Sequence, residues 1–240
     1  MFRTSTTLLE QPADPRERAV AKAKSRPATA EQWAIRPAGN RSPAYLATKR
    51  LIDVLGSVVL LTILSPLLLV VTIILLVTTR GRPIFVQQRV GFLGRPFRLY
   101  KFRTMILDAE KVRDTVENHQ EGPIFKNHAD PRITRFGKLL RRTSIDELPQ
   151  LFNILDGDMS LIGPRPPLAH EVAQYERWQR QRLAVKPGLT CLWQVSGRNE
   201  IAFYRWMLMD LWYVRHQSLR TDLMLLFRTP WAVISRRGAY

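Results

Sequence analysis

The stretch RRTSIDELPQLFNILDGDMSLIGPRPP, residues 141–167, sets two adjacent carboxylates, Asp146 and Glu147, in a crowd of cations. Arg141 and Arg142 stand just before them, Arg165 follows, and Lys101 and Arg103 lie upstream. Ser144-Ile-Asp-Glu147 also fits a helix capping box, with both acids in a first turn. Pro149 falls two residues later, where a regular helix would want its backbone donor, so an irregular turn is expected. Capping alone does not call for so many positive charges.

Phosphoryl transfer does. A carboxylate can attack phosphorus and form an acyl phosphate, splitting one hard transfer into two easier ones. A second carboxylate can hold Mg²⁺, which takes few protein ligands and fills its shell from substrate phosphates. Arginine forks match the non-bridging oxygens of a diphosphate. The positive surroundings are expected to lower the Asp146 pKa and keep it ionised. Pro164-Arg165-Pro166-Pro167 would present Arg165 on a stiff, extended backbone, although the same prolines also suit a plain rigid linker. Other chemistries lack their signatures. No GxGxxG is present, Gly137-Lys138 runs into Leu139 rather than Ser or Thr, and the four histidines lack metal-ligand spacing.

The elements that must position these residues divide by charge. The 240 residues carry a net charge of +17, 45% hydrophobic content and a single cysteine, Cys191. Disorder throughout and a disulfide framework are therefore excluded, and an anionic partner or surface is implied. Residues 1–50 hold ten basic and four acidic residues, and residues 1–44 hold five prolines and no apolar period. The segment 1–48 reads as a disordered basic tail. From Val54 to Thr79 run 26 residues without a charge, a membrane segment. As one rod it would be about 39 Å long against a hydrocarbon core of about 30 Å.

Pro66 stands near the middle of that run, with Ser65 before it. Proline kinks a helix, and the Ser65 hydroxyl can satisfy backbone groups freed there. Lys49 and Arg50 precede the run, and Arg80 and Arg82 follow it. Basic flanks at both ends point to a helix that enters one leaflet and returns, yet on the residues alone a single kinked, tilted span is the favoured reading. Beyond it, PIFVQQRV and PFRLYKFRTM read as strands joined by the turn-rich GFLGR. Residues 106–119, 168–183 and 200–216 read as helices. Residues 219–237 read as a helix that either lies in the membrane interface or packs as an ordinary C-terminal helix.

The stretches KRLIDVLGS with Ser65-Pro66, QQRVGFLGRPFRLYKFRTM, DPRITRFGKLLRRTSIDELPQLFNILDGDMSLIGPRP, KPGLTCLWQVSGRN and MDLWYV carry a resemblance. Residues 49–240 resemble, in order, the catalytic core of bacterial polyprenol-phosphate sugar-1-phosphate transferases of the exopolysaccharide-initiating kind. The resemblance implies an α+β, mainly helical fold: a membrane-embedded re-entrant helix over 49–80, broken at Ser65-Pro66, and a catalytic domain over 81–240 facing the cytoplasm at the bacterial inner membrane, with interfacial amphipathic helices. It implies Asp146 as nucleophile toward a UDP-sugar, Glu147 as the Mg²⁺ ligand, and Lys101, Arg103, Arg142, Arg165 and Arg198 as phosphate-binding residues. Asp158 and Asp210 fall in matched stretches without a definite role. The implied partners are a UDP-sugar, polyprenyl phosphate and an anionic phospholipid membrane, with homo-oligomerisation left open and no nucleic acid. The rival readings are a membrane-tethered nucleic-acid-binding protein, on the net charge and interleaved aromatics, and a membrane-anchored scaffold.

Overall fold

The computed structural model describes residues 35–36, 41–118, 122–125, 127, 129–197 and 201–235. Most of the expected tail, and Arg198, lie outside the described residues. Helix α1 runs over Pro43–Thr78, so it begins inside the segment 1–48 that the sequence assigns to a disordered tail. The reason is local: Pro43 takes the first helical position, where its missing donor costs nothing and its fixed φ is already helical. Among the described residues, α1 is the one helix long and apolar enough to cross a membrane.

Pro66 lies inside α1 without ending it. It cannot donate to the carbonyl four residues back, that of Thr62. The Ser65 hydroxyl donates to that carbonyl at 2.8 Å. The backbone group that Pro66 leaves unpartnered is thus satisfied by its neighbour, as the Ser-Pro pair led one to expect.

One stripe of α1 faces the rest of the chain from end to end. Near its start, Arg50 donates to the carbonyls of Ile154 and Leu155 at 2.5 and 2.7 Å. These belong to the last turn of α3, Gln150–Asp156, where a cation complements exposed carbonyls. Lys49 reaches Asp222 at 3.0 Å, and Asp53 accepts from Ser160 Oγ and the Leu161 amide. Near its end, Val71 and Leu75 are buried with Phe102 and Leu140. The opposite face, including Ile63, Leu69 and Val77, is exposed apolar surface.

Strands β1, Ile84–Val90, and β2, Pro96–Phe102, form an antiparallel hairpin with Val90 opposite Pro96. The two sequence-predicted strands and their turn are thus present. Period-two alternation sets Phe97, Leu99 and Lys101 on one face of β2 and Phe102 on the other. The core-facing row therefore ends in a lysine. Strands β3, Ser160–Ile162, and β4, Gly188–Thr190, pair in parallel. A Cβ at Gly188 would collide with the Gly163 backbone, so glycine there permits the close approach of the segment that follows β3. Buried Leu151, Ile154, Met159, Tyr175, Met207 and Tyr213 belong to the main core.

Two helix expectations give way. The sequence of residues 106–119 reads as a helix, but the described part is a string of turns with a 3-10 segment at Arg113–Thr115. Ile106, Leu107 and Val112 are all exposed, so the segment offers no apolar stripe whose burial could offset the ordering cost of a helix. The helix read over 168–183 is two pieces. Helix α4, Ala169–Gln174, stops at Tyr175, which adopts an extended backbone and buries its ring in the core. A 3-10 segment, Gln179–Ala184, follows.

The helices expected over 200–216 and 219–237 appear close to where the sequence put them, and a short helix before them was not expected. Helix α5 is Leu192–Ser196, α6 is Phe203–Arg215 and α7 is Leu219–Ser235. Helix α7 packs by one face, as the second reading of its segment expects, and leaves an apolar face bare. Thr221, Asp222 and Leu225 are buried, while Phe227 and Trp231 are 77% and 74% exposed.

Candidate active site

Helix α2, Arg135–Arg142, starts at Thr134, whose hydroxyl accepts from the Gly137 amide at 2.9 Å. Gly137 and Leu140 are its buried positions. The chain then turns through Ser144 in a left-handed conformation, φ +57°, into a 3-10 turn over Ile145–Glu147. Ser144 makes no side-chain cap, so the capping-box reading does not hold. The irregular turn expected from Pro149 does, and Pro149 itself opens α3.

This turn delivers both carboxylates to a cleft of about 700 Å³. Asp146 is 8% exposed. Lys101, at the end of the inward row of β2, donates to Glu147 Oε1 at 2.7 Å. Arg165 Nη1 stands 3.6 Å from the same oxygen. Arg141 also lines the cleft and donates through Nε to Thr104 Oγ1 at 2.9 Å. The far walls are apolar: Leu60, Leu64 and Leu67 of α1, with Ala232 and Val233 of α7.

The electrostatics correct one expectation. Burial pushes the Asp146 pKa up to about 6, and Glu147 adds to the rise, against the pull of Lys101, Arg141 and Arg165. The positive surroundings were expected to lower it; loss of water outweighs them. Burial also lowers the Lys101 pKa, opposed by its pairing with Glu147.

The sequence-derived residues fare unequally. Asp146, Glu147, Lys101 and Arg165 come together. Arg103 reaches the cleft rim, but its guanidinium donates to the carbonyls of Arg82 and Ile84 and lies over the Phe85 ring, closing the hairpin's open end. Arg142 is exposed and does not line the cleft; Arg141 takes that place. The signal was in the helical period: four residues after Gly137 comes 141, not 142. Asp158 is exposed, and Asp210 is buried against Arg182 at 2.6 Å. Ser65 and Pro66 stand between Leu64 and Leu67 of the cleft wall.

The geometry can therefore bind a multiply charged anion beside a dehydrated carboxylate, next to an apolar surface. The profile of a family described as bacterial sugar transferase matches residues 44–236. The chain belongs to the bacterial sugar transferase family. Among its curated relatives within the family is the galactosyl transferase CpsE of Streptococcus agalactiae, 44% identical over 202 residues, covering 82% of this chain and 44% of the relative. The undecaprenyl-phosphate galactose phosphotransferase of Salmonella typhimurium is 42% identical over 207 residues, covering 83% of this chain and 43% of the relative. The exopolysaccharide production protein ExoY of Rhizobium meliloti is 37% identical over 218 residues, covering 88% of this chain and 93% of the relative. This family member thus spans less than half of the first two relatives and nearly all of the third.

Proposed function

We propose that the chain transfers a hexose-1-phosphate from a UDP-sugar to undecaprenyl phosphate, the first membrane step in making an exopolysaccharide. The observation that carries this reading is one cleft holding a buried aspartate, a cation-paired glutamate and a helical apolar wall. The family membership and the relatives' names support it.

In the first half-reaction an Asp146 carboxylate oxygen attacks the phosphorus that bears the sugar. The bond from that phosphorus to the bridging oxygen breaks, and UMP leaves with that oxygen. In the second, a phosphate oxygen of the lipid attacks the aspartyl-bound phosphorus, and Asp146 departs as carboxylate. Lys101, Arg141 and Arg165 neutralise the diphosphate and the charge that develops on its oxygens. Dehydration makes Asp146 a stronger nucleophile when ionised and keeps water from competing for the intermediate.

The resemblance also implies Mg²⁺. Among the described residues, no group of three or more acidic, histidine or cysteine side chains is placed to hold a metal. A carboxylate pair still fits Mg²⁺, which binds through one or two carboxylates and takes its other ligands from water and phosphate. Glu147 is the residue that would hold it. Bound there, the ion would supply charge neutralisation to the diphosphate.

The membrane arrangement we infer is a helix that enters and leaves the cytoplasmic leaflet of the inner membrane. Supporting it, Arg50 near one end of α1 and Leu75 near the other pack on the same domain. A crossing helix of 36 residues, roughly 54 Å long, would carry its ends to opposite faces of the membrane. The exposed apolar face of α7 would lie alongside at headgroup depth.

The test is a quenched reaction with donor alone, followed by mass measurement of the peptide containing residues 143–150. A sugar-phosphate adduct on Asp146 with one UMP released per enzyme is expected. Unmodified peptide while lipid-linked product accumulates would overturn the scheme.

A further inference from the structure

Residues 164–167, Pro-Arg-Pro-Pro, contain one backbone donor and four carbonyls. Such a segment cannot pair with itself, and its carbonyls must find donors elsewhere. All four do, each on a different group. Pro164 O accepts from the Gly188 amide at 2.9 Å, and Pro167 O from the Val90 amide at 2.9 Å. Between them, Arg165 O accepts from Arg182 Nη2 at 2.8 Å, and Pro166 O from Arg89 Nη1 at 3.0 Å.

The two arginines in the middle are themselves fixed. Arg182 is 1% exposed. Its Nε bonds Asp210 Oδ2 at 2.9 Å, its Nη1 bonds the Tyr175 hydroxyl at 3.1 Å, and its plane lies near the Tyr175 and Trp206 rings. Trp206 Nε1 holds the same Asp210 oxygen at 3.0 Å. Arg89 is buried too, and its Nε and Nη2 bond Gln87 Oε1 at 3.1 and 2.7 Å. Removing charges from water at this depth is expensive, and a packed apolar pair would often serve stability as well. What an apolar pair could not do is grip successive carbonyls of a proline-rich strap.

The strap's cargo is the Arg165 side chain, a third exposed, whose guanidinium faces Glu147. Its backbone is clamped while its head is left to meet an anion.

We propose that Arg182, locked by Asp210, and Arg89, locked by Gln87, are positioning residues that fix the Arg165 backbone so that its guanidinium meets the donor's diphosphate beside the Asp146-Glu147 pair. The role rests on the reading of the site given under Proposed function. It assigns a task to Asp210, and it makes the buried Arg182–Asp210 pair part of substrate alignment rather than of packing alone.

The test is a double-mutant cycle on the full chain in membranes, read as donor-dependent UMP release. Arg182→Lys and Arg89→Lys keep the charge and one donor but cannot hold their anchor and the strap together. Each is expected to lower kcat/KM for the donor about tenfold or more, mainly through KM, because a displacement near 1 Å can cost about a hundredfold. On an Arg165→Ala background each should change kcat/KM less than about twofold, since the side chain they position is gone. Equal losses on both backgrounds would overturn the proposal, as would a lowered kcat with KM unmoved, the mark of a smaller folded fraction. Should Arg182→Lys fail to fold, the Arg89→Lys cycle decides alone.

A second readout does not depend on the reaction. Hydrogen exchange at the Gly188 and Val90 amides, which bond the strap carbonyls Pro164 O and Pro167 O, should rise in Arg182→Lys while protection elsewhere is kept. Unchanged exchange there refutes the clamp whatever the protein's activity. Raised exchange in a protein whose wild type releases no UMP would keep the clamp and refute the function instead.

Discussion

Lys101 Nζ rests 2.7 Å from Glu147 Oε1, and this contact makes two neighbouring carboxylates unlike. Glu147 holds a cation at hydrogen-bond distance. Asp146, one residue earlier, is deeply buried, and its pKa rises to about 6. A strand end and a tight turn thus assign one acid to charge pairing and leave the other dehydrated.

Asp146→Asn should abolish transfer and stabilise the metal-free protein at neutral pH. A carboxyl whose folded pKa lies above its unfolded value gains stability by protonation, fully present below about pH 4 and lost as pH rises through about 6. Above that, the ionised buried group is a burden that asparagine lacks, on the order of 1–3 kcal/mol. In chelator at pH 7.5 the variant should melt a few degrees higher than wild type, and the gap should narrow toward pH 5. A variant that melts lower at pH 7.5 would show that the cations around Asp146 outweigh its burial.

Lys101→Met removes the partner of Glu147 and a cation from the proposed diphosphate site. A loss of kcat/KM near a hundredfold is expected in UMP release. Lys101→Arg should recover part of it, since charge is kept while the 2.7 Å contact is re-formed in another geometry. Full activity in the methionine variant would remove Lys101 from the site.

Arg141 and Arg142 separate two ways of reading a helix. Arg141→Ala should cost tenfold or more in kcat/KM, about what loss of a charged hydrogen bond brings. Arg142→Ala, at an exposed position, should stay within about twofold. The opposite ranking would mean that the cleft is built around the other face of α2.

The membrane arrangement can be read by labelling. Cys191 is buried, so cysteines placed at Leu46 and Arg82, both exposed, can be followed individually. Both should be shielded from a reagent confined to the periplasm in intact cells. Labelling of only one would establish a span.

Much of this was legible in the chain. The uncharged run from Val54 marks α1, and the alternation of PFRLYKF gives β2 and sends Lys101 inward with Phe97 and Leu99. The dyad's cationic setting was visible in residue types alone. Two kinds of fact were not. The pKa of Asp146 depends on how much water the fold removes, which no count of nearby arginines measures. The roles of Arg89, Arg182 and Asp210 depend on contacts across 77, 17 and 28 positions of sequence, and nothing local marks an arginine as a carbonyl clamp. The false helix at 106–119 has the same root, since polar residues at helical spacing say nothing about whether a face exists for them to leave bare.

Leu60, Leu64 and Leu67 make one wall of the cleft that holds Asp146, so under the proposed function the reacting acid would ride at a set depth in a two-dimensional fluid. An acceptor dissolved in that fluid is met by lateral diffusion, and its effective concentration is a surface density rather than a molarity. Adding inert lipid at constant total acceptor should therefore slow the second half-reaction and leave the UMP burst untouched.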